Sequence, residues 1–199
     1  LNFNASIRLM EVAIEKKTSG YIFFSSDMVY GIQDDAPIEE NFKTYPIAEY
    51  GKSKIKAENS LREISYNNIS LSIFRPRLIS GPGRLGVFKN LFNLIKKSLP
   101  IPLIGDGKNC YQMVSVYDCA AAIKLAIDNN VPNETFNLAS KKIIQVKTLI
   151  NNLIIHAQSQ SRSIAIKSFY IKPTLALFDF LGKPILYKEQ YMIADRNII

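Results

Sequence analysis

Histidine is almost missing from this 199-residue chain, and cysteine is scarce: His156 stands alone, and Cys110 and Cys119 lie nine positions apart with no Cys-x-x-Cys. That supplies too few nitrogen and sulfur ligands for a structural zinc site, and no disulfide framework. His156 closes the apolar run Leu153-Ile154-Ile155, a setting that favours a helix-side histidine over a catalytic one. No apolar run approaches the ~18–20 residues that span a bilayer, and the residues present carry no secretory-leader pattern. Repeats and low-complexity tracts are missing too. The expectation is a protein of the reducing cytoplasm without a membrane partner.

Acidic residues are the minority: 17 Asp and Glu face 25 Lys and Arg, for a net charge of +8 and a pI near 9.4. Basic residues are scattered in ones and twos (Lys16-Lys17, Lys96-Lys97, Lys141-Lys142), not gathered into an arm or stripe. No nucleic-acid partner is therefore expected; an anionic small molecule accounts for the charge as well. With 47% hydrophobic and 21% charged residues the composition is that of an ordinary globular protein. The length allows one domain with a small additional lobe.

The pattern along the chain alternates. Apolar positions at Ile7, Met10 and Ile14 predict a helix over 3–17, closed by Ser19-Gly20. Tyr21-Ile22-Phe23-Phe24 reads as a buried strand. Residues 31–46 read as a long surface loop, of a length that is usually functional. A helix is expected over 48–66, a strand over 69–74, and a glycine- and proline-rich loop over 75–86. Further helices are expected over 87–97, 118–128 and 146–157, with strands near 113–116 and 135–138. One or two short helices follow between Pro173 and Ala194. In that last region Leu175, Leu177, Phe178 and Leu181 make an amphipathic pattern, which favours a core or interface helix over a membrane-surface one. Alternating helix and strand predicts an α/β fold with a parallel sheet covered on both faces. The chain opens on Leu1 rather than Met, within a helical pattern, so a fragment is expected.

Two features could carry chemistry. Tyr50 and Lys54 stand at i and i+4, on one face of a helix and roughly 5–6 Å apart at Cβ. An ammonium held there favours the phenolate and lowers the tyrosine pKa from about 10, which lets it pass a proton to or from a substrate oxygen. Taken alone, such a pair occurs on many surface helices. Ser25-Ser26-Asp27 follow directly on the buried strand, at the edge of a parallel sheet that faces the ligand crevice. A hydroxyl there can orient the same substrate oxygen, or it can simply cap the strand end.

The order of motifs is more specific than either feature. Phe23 through Gly31 (FFSSDMVYG), then Tyr50-Gly51-Lys52-Ser53-Lys54, then Arg75-Pro76 through Gly81-Pro82-Gly83 resembles the extended short-chain dehydrogenase/reductase family, which includes sugar-nucleotide epimerases and dehydratases. Gly105-Asp106-Gly107, Val114 through Asp118 and Phe136 through Ser140 extend the likeness, and Asn2 through Ser6 is similar to the family's Asn-Val-x-Gly-Thr. The likeness covers residues 2–140 in family order.

The resemblance implies a Rossmann-like doubly wound parallel sheet whose first strands precede this sequence, with a small α/β substrate-binding lobe. Residues 1–80 would carry the cofactor domain and 81–199 mainly the lobe, with 112–128 returning to the first domain. It implies NAD or NADP as cofactor, a small-molecule substrate, and a homodimer formed through two long helices, one of them bearing Tyr50. Tyr50 would be the acid/base, Lys54 the residue that holds the nicotinamide ribose and tunes it, and Ser26 the group that orients the reacting oxygen. Asn2 and Pro76 would lie near the nicotinamide. The glycine-rich phosphate loop and the residue that reads the adenosine ribose are not among these residues, so NAD and NADP are not distinguished.

Departures from the family pattern bear on substrate. Family dehydratases follow the hydroxyl residue with Asp-Glu; here stand Asp27-Met28, and a methionine cannot take a proton, so sugar dehydration is not expected. Where many sugar-nucleotide epimerases place an Asn and a diphosphate-holding Arg, this chain has Leu78 and Tyr111. Losing such a charge-assisted contact costs about 1.5–3 kcal/mol, which Arg77 and Arg84 are positioned in sequence to replace. The resemblance therefore implies transient oxidation of a nucleotide-sugar hydroxyl. Two alternatives stay open: net oxidation or reduction of a less polar, sterol- or flavonol-like alcohol or ketone, and a non-catalytic cofactor-binding relative.

Overall fold

Apolar residues spaced three and four apart from Phe3 to Ile14 wind the opening of the chain into α1 (Asn2–Glu15) in the computed structural model, which describes residues 2–33, 37–83, 88–183, 185–186 and 188–198. The helix closes two residues before the expected Ser19-Gly20: Lys17 takes the left-handed conformation (φ 53°), and the Thr18 amide reaches back to the Ala13 carbonyl. Strand β1 (Tyr21–Phe24) follows. A 3₁₀ turn (Asp27–Val29) then leads into a long irregular segment that ends at α2 (Glu49–Ser65). Gly31 permits that segment to fold back, since at its φ of 67° an added Cβ would lie 1.9 Å from the Tyr45 carbonyl oxygen.

Strand β2 (Leu71–Pro76) lies between β1 and β7 (Thr135–Leu138), and all three run parallel. Their register places Phe24 opposite Phe74 and Phe74 opposite Phe136, and the three rings stack edge to face at 5.4 and 5.8 Å. Met10, Ala57 and Leu61 from α1 and α2 close with Phe23, Leu71 and Ile73 into one buried core, so both helices cover the same face of the sheet. Helix α4 (Val116–Asp128) starts two residues earlier than the expected 118, because Ser115 caps it by accepting the Asp118 amide.

The expected loop over 75–86 is partly strand. Arg77 extends the ladder by donating its amide to the Leu138 carbonyl, and β3 (Leu78–Ser80) pairs in parallel with β6 (Met113–Ser115). Pro82 and Gly83 do form a turn, and residues 84–86 of the expected loop lie outside the described residues; neighbouring backbone, not local composition, recruits residues 75–80 into ladders.

The chain divides into two compact units, the first made of Leu1–Asp34, Ile38–Gly81 and Met113–Ser140, and the second of the rest. The segment that returns to the first unit includes β7, which completes its sheet. The second unit holds α3 (Phe88–Lys96), β4 (Ile101–Ile104), β5 (Cys110–Tyr111), β8 (Ile144–Gln145), α5 (Val146–His156), β9 (Ser163–Ile166), α6 (Ser168–Phe180) and α7 (Lys188–Ile193). Here β4 pairs in parallel with β9 and β5 antiparallel with β8, around Ile95, Ile101, Leu103, Ile150 and Ile154. Strand β9 has no counterpart in the sequence reading: four residues after a serine-rich stretch give no periodic signal, and pairing with β4 alone makes them a strand. His156 ends α5 on an exposed position.

Candidate active site

The carboxyl ends of β1, β2 and β7 lie side by side, with Phe24 beside Phe74 and Pro76 beside Leu138. In parallel sheets this edge is where ligands bind. Strand β1 delivers Ser25 and Ser26 there. Ser26 has extended backbone, and its Oγ accepts the Met28 amide at 3.2 Å while donating to Asp27 Oδ1 at 3.2 Å. The hydroxyl thus caps the 3₁₀ turn, and that capping holds it in one orientation.

Helix α2 brings the tyrosine and the lysine to the same edge. Lys54 Nζ donates to the Phe24 carbonyl at 2.8 Å, one residue before Ser25, and lies 5.9 Å from the centre of the Tyr50 ring. Burial pushes the Lys54 pKa below its ordinary value, and the carboxylate of Glu58, one turn further along, partly opposes that shift. Tyr50 is 47% exposed, so its ring is open to solvent on a helix face it shares with a fixed cation.

Gly51 sets how closely these parts approach. A Cβ at this position would stand 2.6 Å from the Met28 carbonyl oxygen and 2.8 Å from the Pro46 side chain. The start of α2 therefore lies flat against the turn that carries Ser26 and Asp27. Gly51→Ala is expected to push the two apart, with a stability loss of about 1–3 kcal/mol and a fall in turnover larger than that loss explains. Urea unfolding and steady-state rates measured on the same variant check it; unchanged turnover would count against this packing.

Behind the edge lies a buried charge network that the sequence reading did not single out. Glu58 is fully buried and accepts from Arg75 Nε at 3.0 Å, from Arg75 Nη2 at 2.6 Å, and from the Ser25 hydroxyl. Arg75 also donates to the Tyr30 hydroxyl at 2.8 Å and to the Glu40 carbonyl at 3.1 Å. Tyr30 in turn donates to Asn137 Oδ1 at 2.8 Å. The network ties β1, α2, β2, β7 and the long irregular segment together. The signal was present in the sequence: Glu58 stands at i+4 from Lys54 and i+8 from Tyr50, on their helix face.

Asp27 and Arg77 form a second buried pair, Nη1 to Oδ2 at 3.5 Å. Burial raises the Asp27 pKa, and the Arg77 charge works against that rise. Arg77 therefore has a carboxylate partner inside the first unit. Pro76 ends β2 at the ligand edge, Leu78 lies in β3 opposite Met113, and Met28 is half-buried in the 3₁₀ turn. Asn2 begins α1. Tyr111 lies in β5 of the second unit, opposite Ile144. Arg84 falls outside the described residues. Among the described residues no group of His, Cys, Asp and Glu could hold a metal ion.

A family model described as "NAD dependent epimerase/dehydratase family" matches residues 1–139, well over half of the sequence. The chain belongs to that family. Within it, the chain is 32% identical over 155 residues to an uncharacterised protein of Sinorhizobium fredii, covering 77% of this chain and 38% of the relative. It is 32% identical over 184 residues to the N-acetyl-alpha-D-glucosaminyl-diphospho-ditrans,octacis-undecaprenol 4-epimerase of Escherichia coli O157:H7, covering 86% of this chain and 53% of that one. The chain thus spans about half the length of the curated relatives it matches, or less. Among family structures, a UDP-glucuronic acid 4-epimerase from Bacillus cereus in complex with NAD superposes with a TM-score of 0.74 at 21% identity, over 97% of this chain and 65% of that chain. The fold is that of the family, a Rossmann-like α/β architecture with parallel sheets.

Proposed function

We propose that this chain carries the acid/base centre of an epimerase that transiently oxidises a hydroxyl of a sugar diphosphate. The observation that carries the reading is Lys54, bonded to the Phe24 carbonyl at the end of β1, two residues before Ser26 in the chain, while sharing a helix face with Tyr50. The residues present fit the ribose end of a nicotinamide cofactor: an ammonium has three N–H donors and the Phe24 carbonyl takes one. Lys54 would hold the ribose hydroxyls, with Asn2 and Pro76 at the nicotinamide. The bound nicotinamide would supply the two-electron acceptor that takes and returns the hydride.

Tyr50, as phenolate, takes the proton from the sugar hydroxyl as the carbon-bound hydrogen leaves as hydride, and a ketone forms. Ser26 donates to the ketone oxygen and keeps it in place while the sugar turns. Tyr50 would give the proton back once the ketone is reduced on its other face, so the hydroxyl is restored inverted and no net oxidation results. Lys54 favours the phenolate throughout by its charge. Met28, where an acid for elimination would be needed, supports epimerisation over dehydration.

The diphosphate carrier has two readings, a nucleotide or a polyprenyl lipid, the second favoured by the 32% identity to the undecaprenol-linked epimerase. Incubating the intact protein with each sugar diphosphate and oxidised cofactor, and resolving the products chromatographically, tests the proposal. Interconversion of epimers without net change in nicotinamide absorbance is expected. Stoichiometric reduction of the cofactor with an apolar alcohol would point instead to a net dehydrogenase, and binding without any turnover to a non-catalytic relative.

A further inference from the structure

A surface helix of a globular protein ordinarily turns its apolar stripe inward and its charges outward. Helix α6 does the reverse. Its inward side carries Leu175 together with Lys172, whose ammonium bonds the Met192 carbonyl at 2.9 Å and Asp195 at 2.7 Å. Its outward side carries Phe169, Tyr170, Leu177 and Phe180, and Leu181 directly after it, exposed by 81%, 65%, 57%, 86% and 60%. Phe169, Pro173, Leu177 and Phe180 follow at i, i+4, i+8 and i+11, which is one stripe of a helix. Between 169 and 181 none of the exposed residues is charged, and exposed Lys167 and Lys183 stand just beyond the two ends. Aromatic and leucine side chains flanked by lysines suit the boundary between headgroups and acyl chains, where lysine stems reach back to the phosphates.

Charge selects among the possible occupants of this stripe. The second unit holds 14 Lys and Arg against 5 Asp and Glu, a net +9, whereas the first holds 11 against 12, a net −1. The net positive charge of the chain therefore comes from the unit that bears α6. Two such units would repel each other, which disfavours a second copy as the occupant. A nucleic acid would leave the apolar stripe in water. An anionic lipid surface satisfies both features at once.

We propose that α6 is an interfacial helix that seats the second unit on an anionic membrane surface. The sequence by itself favours a core or interface helix here; the outward stripe and the one-sided charge argue for lipid. Lying on the surface is distinct from crossing it, and among the described residues no helix is long and apolar enough to cross. The proposal is independent of the chemistry at Tyr50.

Co-sedimentation of the intact protein with vesicles of phosphatidylethanolamine and phosphatidylglycerol, against vesicles of phosphatidylcholine alone, tests it. Binding to the anionic vesicles is expected to be about tenfold or more the stronger and to fall as salt rises. The double variant Leu177→Gln/Phe180→Ser should weaken that binding by about tenfold or more, with its thermal midpoint unchanged, because both side chains face solvent. No binding to anionic vesicles overturns the proposal. So does a clear fall in the midpoint of the double variant, which would mean that protein covers the stripe, and so does self-association in ultracentrifugation that the double variant abolishes.

Discussion

Replacing Tyr50 by phenylalanine is expected to lower turnover by about 10²–10⁴-fold, the range that a positioned acid/base group supplies. The thermal midpoint should stay where it is. Tyr50 is 47% exposed at the second position of α2, so its hydroxyl contributes little to the packing of the first unit. The expected signature is a loss in kcat and in kcat/KM by similar factors, since proton transfer matters in the transition state and not in binding. Cofactor affinity, read by fluorescence titration, should change by no more than a few-fold because the Lys54 contact to Phe24 does not involve the tyrosine. Full activity in the phenylalanine variant would remove Tyr50 from the chemistry and leave the non-catalytic reading. Loss of cofactor binding would instead mean that the ring is a wall of the cofactor site.

Glu58→Gln is expected to be the most damaging single change to stability. It removes the charge opposite Arg75 while both remain buried, and breaking a buried ion pair from one side typically costs about 3–5 kcal/mol. For a chain of this size that corresponds to roughly 10 °C in the thermal midpoint. Burial alone would lower the Arg75 pKa; its bonds to Glu58 more than reverse this, so the guanidinium stays charged and in need of a partner. Removing both charges together, as in Glu58→Leu/Arg75→Met, should therefore cost less than either single change, which a double-mutant cycle by urea unfolding reads directly. Equal and additive losses would mean that the pair is not coupled.

The same variant should also shift the pH profile. Burial depresses the Lys54 pKa and the Glu58 charge partly restores it. Deprotonation of Lys54 then sets an alkaline limit to activity below the ordinary lysine value. Without the Glu58 charge that limit moves further toward neutral pH. A purely structural role for Glu58 would lower the rate at every pH and leave the limb in place.

Much of the first unit was legible in the residues because its signals are local. The Tyr21–Phe24 strand stands where its aromatic run predicts, and α2 differs from the expected helix by one residue at each end, since apolar positions every three or four residues mark the buried face. Tyr50 and Lys54 share a face for the same reason. The stretch from Arg77 to Ser80 was not legible: it reads as loop by composition and is strand by virtue of partners at Leu138 and at Met113–Ser115. Strand β9 is a similar case.

By itself the sequence determined the α/β alternation and the tyrosine and lysine on one helix face, because period and spacing along the chain encode both, and its order of motifs carries the resemblance to the family. Tertiary structure alone decided that Glu58 lies between Arg75 and Ser25, residues 17 and 33 positions away. It also decided that Gly51 rests on the Met28 carbonyl, and that α6 turns Lys172 inward and its aromatic stripe out. Burial and ion pairing depend on which distant segment lies opposite, and no window along the chain contains that information.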